Sequence, residues 1–81
     1  MPEVKLTGSL RTAVGGAASV SIEAATIREL FQKLVQRYPE LESSIEEGLA
    51  VSINGDIYRD DWGETIPADA DVFLLPRIQG G

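Results

Sequence analysis

Apolar and polar side chains alternate along two stretches near the start of the chain, residues 3–10 and 19–23. Alternation places every second side chain on the same face, which is typical of a strand with one buried face. Gly15-Gly16 lies between the two stretches and predicts a hairpin turn that is longer than the tightest type. Gly8 indicates a bulge or a close backbone approach within the first strand. The first 23 residues are therefore predicted to form a β-hairpin.

A helix is predicted next, with its start at Thr26. Thr26 and Glu29 fit a capping box, in which the Thr hydroxyl accepts a hydrogen bond from a free amide and the Glu side chain reaches back. Pro39 disfavours helical geometry at the preceding residue, so the helix is expected to end there. The apolar residues between these signals form one stripe at helical spacing, which we interpret as core: Ile27, Leu30, Phe31, Leu34, Val35 and Tyr38.

Two short strands are predicted after an acidic stretch. Residues 40–48 favour only a loose helical turn, in which Leu41 and Ile45 touch the core. Residues 49–53 alternate again. Asn54-Gly55 then indicates a tight turn, because both residues tolerate positive φ. Ile57-Tyr58 is consequently expected to be a short returning strand.

The last strand, residues 72–75, is apolar on both faces, which is typical of a central strand. The outward positions of the first strand are polar, so the far face of the sheet is predicted to be open to water. Phe73 or Leu75 would then form an exposed apolar patch of the kind that often marks a partner site. The alternative is that a loop, such as the irregular one that holds Trp62, covers them. Trp62 itself is interpreted as a lid on the core rather than a ligand platform.

The order strand, strand, helix, strand, strand, strand predicts an α+β fold. One helix covers only one face, so about five strands must form a sheet wrapped over one main helix. Eighty-one residues are enough for one domain. We expect that domain at 1–75, followed by a flexible, extended tail at 76–81.

Composition excludes several classes of site. The chain has no Cys and no His, so a disulfide, a thiolate nucleophile, an imidazole base and a zinc site are excluded. The formal charge of −6, from thirteen acidic and seven basic residues, disfavours nucleic acid and anionic membranes as partners. No signal-peptide pattern and no run of about 20 apolar residues occurs, so a soluble cytoplasmic protein is expected.

Two acidic clusters are candidate sites that we interpret as solvated loop carboxylates. Asp60, Asp61 and Glu64 lack the spacing of a calcium loop. Asp69 and Asp71 lack a neighbouring base for acid–base catalysis. The sequence therefore predicts that the chain binds no metal and no cofactor.

The strongest functional signal is Gly80-Gly81. Glycines at an end close no turn and cap no helix, but they let a backbone enter a channel too narrow for a Cβ. Six extended residues from Pro76 would reach about 20 Å at ~3.3 Å each, far enough to enter another protein's active site. We therefore interpret the carboxylate of Gly81 as the reacting group. The residues expected to contact partners are Phe73, Leu75, Pro76, Arg77, Ile78, Gln79 and Gly80.

The chain resembles the ubiquitin-like β-grasp sulfur carriers of the MoaD/ThiS group. The resemblance rests on the Asn54-Gly55 turn, the aspartate-containing turn before the last strand, and Leu74-Leu75-Pro76 leading to Gly80-Gly81. The last of these is similar to the molybdopterin synthase small subunit. Arg59 and Trp62, in contrast, resemble an Arg-x-x-Trp of the thiamin-pathway carrier. The chain departs from the family at Ala70, where carriers often have Gly.

The resemblance implies a carrier protein rather than an enzyme. A ubiquitin-activating-type adenylyltransferase would use ATP to adenylate Gly81, and a sulfur donor would convert the product to a thiocarboxylate. A synthase large subunit would then take the sulfur for molybdopterin, or for thiamin thiazole or another metabolite. Two alternatives stay open, which are a ubiquitin-like modifier joined through Gly81 to target lysines and a plain protein-interaction domain.

Overall fold

Strands from both halves of the chain form one mixed sheet in the computed structural model, which describes residues 2–8, 10–59 and 61–76. The sheet has five strands in the order β2-β1-β5-β3-β4. In chain order the elements are β1 (Glu3–Leu6), α1 (Leu10–Ala13), β2 (Ser19–Ser21), α2 (Ile27–Arg37), α3 (Leu41–Gly48), β3 (Leu49–Ile53), β4 (Asp56–Tyr58) and β5 (Asp71–Pro76).

Strand β5 lies at the centre of the sheet, as its two apolar faces predicted. It pairs in parallel with β1 on one side and antiparallel with β3 on the other. Each of those neighbours carries an antiparallel partner at the sheet's edge, β2 on β1 and β4 on β3. The predicted five-stranded sheet packed on a main helix is therefore confirmed.

Helix α2 forms where its capping signals predicted. The Glu29 amide donates to Thr26 Oγ1 at 3.2 Å, and the Ala25 amide donates to Glu29 Oε1 at 2.7 Å. The Tyr38 amide makes the last helical bond, to the Leu34 carbonyl at 2.6 Å, directly before Pro39. The cap fixes the helix start, and the proline fixes its end.

The core lies between α2 and the inner face of the sheet. Leu30 and Leu34 on the helix are fully buried, as are Val4, Val72 and Leu74 on the two neighbouring strands. These strand residues alternate with outward ones, which gives β1 and β5 a common inner face. Burial of this apolar surface is the main force that holds the helix on the sheet.

The structure corrects the prediction for residues 7–18. Strand β1 ends at Leu6, Gly8 is part of a turn with φ of +56° rather than a bulge, and a short helix occupies Leu10–Ala13. Leu10 and Val14 are both buried. They are four residues apart, which is helical spacing, and Leu10 was wrongly placed on the first strand because it also fits a period of two.

Residues 40–48 form a regular helix rather than a loose turn. Helix α3 buries Leu41 completely and ends at Gly48, whose φ is +109°. Its start has no side-chain cap, and its two core contacts, Leu41 and Ile45, are too few for a recognisable stripe. Tertiary packing therefore stabilises α3, since its sequence carries no strong local helix signal.

The boundary of the predicted tail stays a prediction. Strand β5 includes Pro76, which pairs with Leu49. The residues beyond it, 77–81, lie outside the described part of the chain. None of the helices in the described ranges is long and apolar enough to span a bilayer.

Leu34→Ala should destabilise the fold by about 2–5 kcal/mol, because it leaves a cavity at a fully buried position. Urea unfolding followed by circular dichroism measures this change. Gln36→Ala, at an exposed position of the same helix, is the control and should change stability little. Equal losses for the two variants would contradict the placement of α2.

Candidate functional site

The candidate site begins at the end of β5, the strand that leads to Gly80-Gly81. Val72 and Leu74 point into the core with no exposed surface, so Phe73 and Leu75 point to the opposite face. Pro76 is exposed and is the last residue described. Because β5 is held on both sides, its carboxyl end is fixed in position.

The outward side chains form an apolar strip across three strands, here called the outer-face patch: Phe73 and Leu75 of β5, Ala50 of β3 and Ile57 of β4. Leu75 pairs with Ala50, Phe73 pairs with Ser52, and Ser52 pairs with Ile57. Ser52 is only 9% exposed, because it lies between larger neighbours. The register therefore joins apolar residues that are far apart in sequence into one surface beside the strand end.

Phe73 and Leu75 are half-buried, so the predicted apolar patch is present but only partly exposed. Lys5 Nζ lies 5.1 Å from the centre of the Phe73 ring and 3.6 Å from Asp71 Oδ1. Lys5 and Asp71 are themselves well exposed, so this ion pair contributes little stability. A partner could displace the Lys5 side chain at low cost and reach the ring.

Trp62 does not cover the outer-face patch. Its ring contacts Phe31 of α2 edge-to-face, with ring centres 5.2 Å apart, on the helix side of the sheet. The alternative in which the Trp62 loop covers Phe73 and Leu75 is therefore wrong. The indole is 38% exposed, so it closes over part of the core and also presents a surface.

Ile57 is the member of the patch that the sequence pattern did not single out. It is 59% exposed, which is unusual for a large aliphatic residue on a strand. Its outward direction follows from the antiparallel register with Ser52. The available signal was the Asn54-Gly55 turn, because a tight hairpin fixes which residue of the returning strand faces outward.

The start of β5 is fixed by the turn between β3 and β4. The Asn54 amide donates to the Asp71 carbonyl at 2.9 Å, and the Asp71 amide donates to Asn54 Oδ1 at 3.0 Å. Asn54 has a φ of +52°, in the left-handed region that Asn tolerates. Ala70, at the place where carriers often have Gly, is 4% exposed, and its φ is not positive. Its methyl group therefore packs in the core, and the turn does not require Gly.

The acidic residues give no sign of a catalytic or metal centre in the described ranges. No three His, Cys, Asp or Glu side chains converge there. Asp60 lies outside those ranges. Partial burial and then nearby carboxylates, that of Glu64 first, raise the pKa of the Tyr58 phenol above its ordinary value.

The predicted reacting group and most of its predicted flanks lie outside the described residues. These are Arg77, Ile78, Gln79, Gly80 and Gly81, and their roles stay predictions. The described members of the predicted set, Phe73, Leu75 and Pro76, lie together at the end of β5.

Comparison with protein families and solved structures gives consistent matches. A model of the ThiS family matches residues 4–81. SAMP1 from Haloferax volcanii, a small archaeal modifier protein, is 26% identical, with 99% of this chain and 98% of that chain covered and a TM-score of 0.78. A sequence comparison with curated proteins finds no significant match.

Two further solved structures are complexes. The Amycolatopsis orientalis BexX/CysO complex contains a chain that is 21% identical, with full coverage of both chains and a TM-score of 0.81. The complex of subunits 1 and 2 of molybdopterin-converting factor from Helicobacter pylori contains one that is 21% identical, with 99% and 97% coverage and a TM-score of 0.68. These likenesses and the sheet order confirm the predicted ubiquitin-like β-grasp fold.

Asn54→Ala should destabilise the protein by about 1–3 kcal/mol, because the Asp71 amide loses its acceptor and Ala resists a positive φ. Asn54→Gly is the matched control, since it loses the same acceptor but keeps the conformational freedom. Chemical denaturation should rank wild type above Gly and Gly above Ala. The same stability for both variants would contradict a role for the backbone conformation.

Proposed function

This chain belongs to the ThiS family, and from that premise we propose that it is a sulfur carrier whose reacting group is the carboxylate of Gly81. The proposal is carried by one observation above the others. The central strand β5 ends at Pro76 beside the outer-face patch, and Gly80 and Gly81 follow four and five residues later. A partner that binds the patch is therefore in reach of the glycines.

The proposed cycle has two steps. An oxygen of the Gly81 carboxylate attacks the α-phosphorus of ATP on a ubiquitin-activating-type enzyme, and pyrophosphate leaves. A sulfur donor at the oxidation level of sulfide then forms a carbon–sulfur bond, and AMP leaves with the acyl oxygen. An α-carboxylate is ionised at neutral pH, so it is ready for the first step.

The catalysts in this proposal are the partners. The sequence has no phosphate-binding loop and no basic cluster that could hold ATP. The structures of BexX with CysO and of the two molybdopterin-converting factor subunits support a carrier that works in complex with a larger protein. We expect a synthase to take the sulfur, with molybdopterin as the first candidate product and thiamin thiazole or another metabolite as alternatives.

A ubiquitin-like modifier is the second candidate function. It is favoured by the 26% identity to a small archaeal modifier protein. Both functions need the same adenylate and differ only in the nucleophile that follows, sulfur in one case and a lysine amine in the other.

Intact-mass spectrometry of the protein isolated from its native host tests the proposal. Exchange of one oxygen for sulfur, mapped to Gly81, is the expected result. Covalent conjugates of the chain would favour the modifier instead. An unmodified chain, together with no ATP-dependent formation of pyrophosphate by its activating enzyme, would overturn both.

Gly81→Ala should reduce the rate of adenylation by an added activating enzyme without lowering stability, because a Cβ obstructs a narrow channel. Gly63→Ala is the matched control. Gly63 is exposed, and an added Cβ there would meet no atom within 4 Å. Pyrophosphate release measures the rate, and equal rates for the two variants would count against the channel.

Ile57→Glu should weaken binding to the activating or synthase partner by about tenfold, because it places a charge on the most exposed apolar residue of the outer-face patch. Ile57 is exposed, so the fold should tolerate the change. Ser21→Glu is the control, since Ser21 is exposed on the edge strand β2. Calorimetric titration measures both, and unchanged affinity for the Ile57 variant would exclude the outer-face patch as the interface.

A further inference from the structure

A groove of about 470 Å³ lies on the helix side of the sheet, away from the outer-face patch. It is bounded by α2, by the end of α3 and by the segment after β4. The groove is not part of the outer-face patch, and the proposed chemistry at Gly81 does not use it. The helix-side groove is defined by six residues that carry charge or aromatic surface: Arg28, Phe31, Glu46, Glu47, Arg59 and Trp62.

The wall that carries Trp62 is held in place by backbone hydrogen bonds. The Arg28 amide donates to the Trp62 carbonyl at 2.9 Å, and the Ile27 amide donates to the Glu64 carbonyl at 3.1 Å. The edge-to-face contact with Phe31 fixes the indole itself. The groove is therefore formed before any ligand arrives, which lowers the entropic cost of binding.

Opposite charges line the groove without contacting each other. Arg28 and Arg59 come from α2 and the segment after β4, and Glu46 and Glu47 come from the last turn of α3. Within residues 2–8, 10–59 and 61–76, none of these four side chains takes part in a salt bridge. The groove can therefore receive ligand groups of either charge.

The guanidinium groups are the natural anion site here, because the amides at the start of α2 are already occupied. Loop carbonyls accept from Ile27 and Arg28, and Thr26 accepts from Glu29 and Leu30. An incoming carboxylate cannot use the helix terminus and must bind to the arginines.

The described part of the chain ends directly beside the groove. Pro76 pairs with Leu49, and Leu49 lines the groove next to the last turn of α3. Residues 77–81 can span about 17 Å when extended, at ~3.3 Å each. They therefore start beside the last turn of α3, which carries Glu46 and Glu47.

We propose that the helix-side groove binds the chain's own terminal segment, residues 77–81. The charges match: Arg77 would meet Glu46 and Glu47 beside Leu49, and the Gly81 carboxylate would bind Arg28 or Arg59. Ile78 lies between Arg77 and Gly81 in sequence and would pack on the exposed part of Trp62. The proposal rests on the proposed function in one respect, since Gly81 must carry a free carboxylate.

Such docking would hold the reacting group away from solvent and from partners until one of them binds. Exposed ion pairs are weak, so the docked and free forms would exchange and coexist. A partner that needs the free form would then bind with an apparent affinity reduced by the free fraction. The groove would act as an intramolecular competitor of the activating enzyme.

Paramagnetic relaxation enhancement on the full-length chain tests the docking. The chain has no natural Cys, so one introduced Cys carries a single nitroxide. Gln32→Cys places it on the exposed face of α2, one turn after Arg28. Asp69→Cys places it in the loop before β5, at the opposite end of that strand from Pro76, as the distant control. We expect the Gln32 label to remove amide intensity at Gln79, Gly80 and Gly81, and the Asp69 label to leave it.

Charge removal makes the test specific. Arg28→Gln with Arg59→Gln should restore the lost intensity, because the carboxylate loses both partners. Arg11→Gln with Arg37→Gln removes the same charge outside the groove and should restore none of it. Salt at 1 M, which shortens the Debye length from ~8 Å to ~3 Å, should act like the first pair.

Three results would overturn the proposal. The first two are equal amide intensities with the two labels and no recovery of intensity in the Arg28/Arg59 variant. The third comes from a mixed sample, in which nitroxide on unlabelled chains broadens the signals of separate isotope-labelled chains, and it would assign the contact to a second copy. None of these depends on adenylation. A failure of the proposed function would appear instead as no pyrophosphate release, with the enhancements unchanged.

Discussion

The structure depends on the burial of one side of its central strand. Val72 and Leu74 have no exposed surface, and hydrogen bonds to β1 and β3 hold the strand on both edges. The burial and the strand pairing are coupled. A shift of the pairing register by one residue would turn Val72 and Leu74 to the outer face. The Asn54 side chain fixes the same register from the start of the strand. The position of Pro76, the last residue that the structure describes, is therefore set by the core and by both neighbouring strands.

The end of β5 lies between two surfaces. The outer-face patch lies on one side of the sheet and the helix-side groove on the other, and both adjoin residues that pair with the end of β5. Leu75 contributes to the patch, while Leu49, which pairs with Pro76, lines the groove. In our proposals, the segment that follows Pro76 is either offered to a partner at the patch or held in the groove. The balance between the two would depend on side chains and not on any change of fold.

The parts of this arrangement that the sequence predicts are those with local signals. The Thr26 cap, the Pro39 stop and the Asn54-Gly55 turn each act through neighbouring residues, and each is found where predicted. Helices α1 and α3 were missed or understated because their packing is tertiary. Leu10 fits a strand as well as a helix, and α3 has no side-chain cap at its start. Local chemistry does not distinguish these cases.

The candidate site, too, is predictable only where the sequence carries a local signal. The importance of Gly80-Gly81 can be proposed from sequence because it depends on what glycine lacks. The outer-face patch could be predicted only in part, since Ile57 joins Phe73 through the register of three strands. The groove brings together Arg28, Glu46 and Arg59, which belong to three different elements, and no spacing in the sequence indicates that they meet.

Carrier and modifier cannot be separated by the fold, because they share the chemistry that the fold supports. Both require an activated acyl group on Gly81, and the adenylate is the same whichever nucleophile attacks it. What differs is the protein that receives it, and that protein must recognise surface. We expect that protein to recognise exposed features of this chain, the Ile57 edge of the patch and the charged rim of the groove. The buried central strand is compatible with either function.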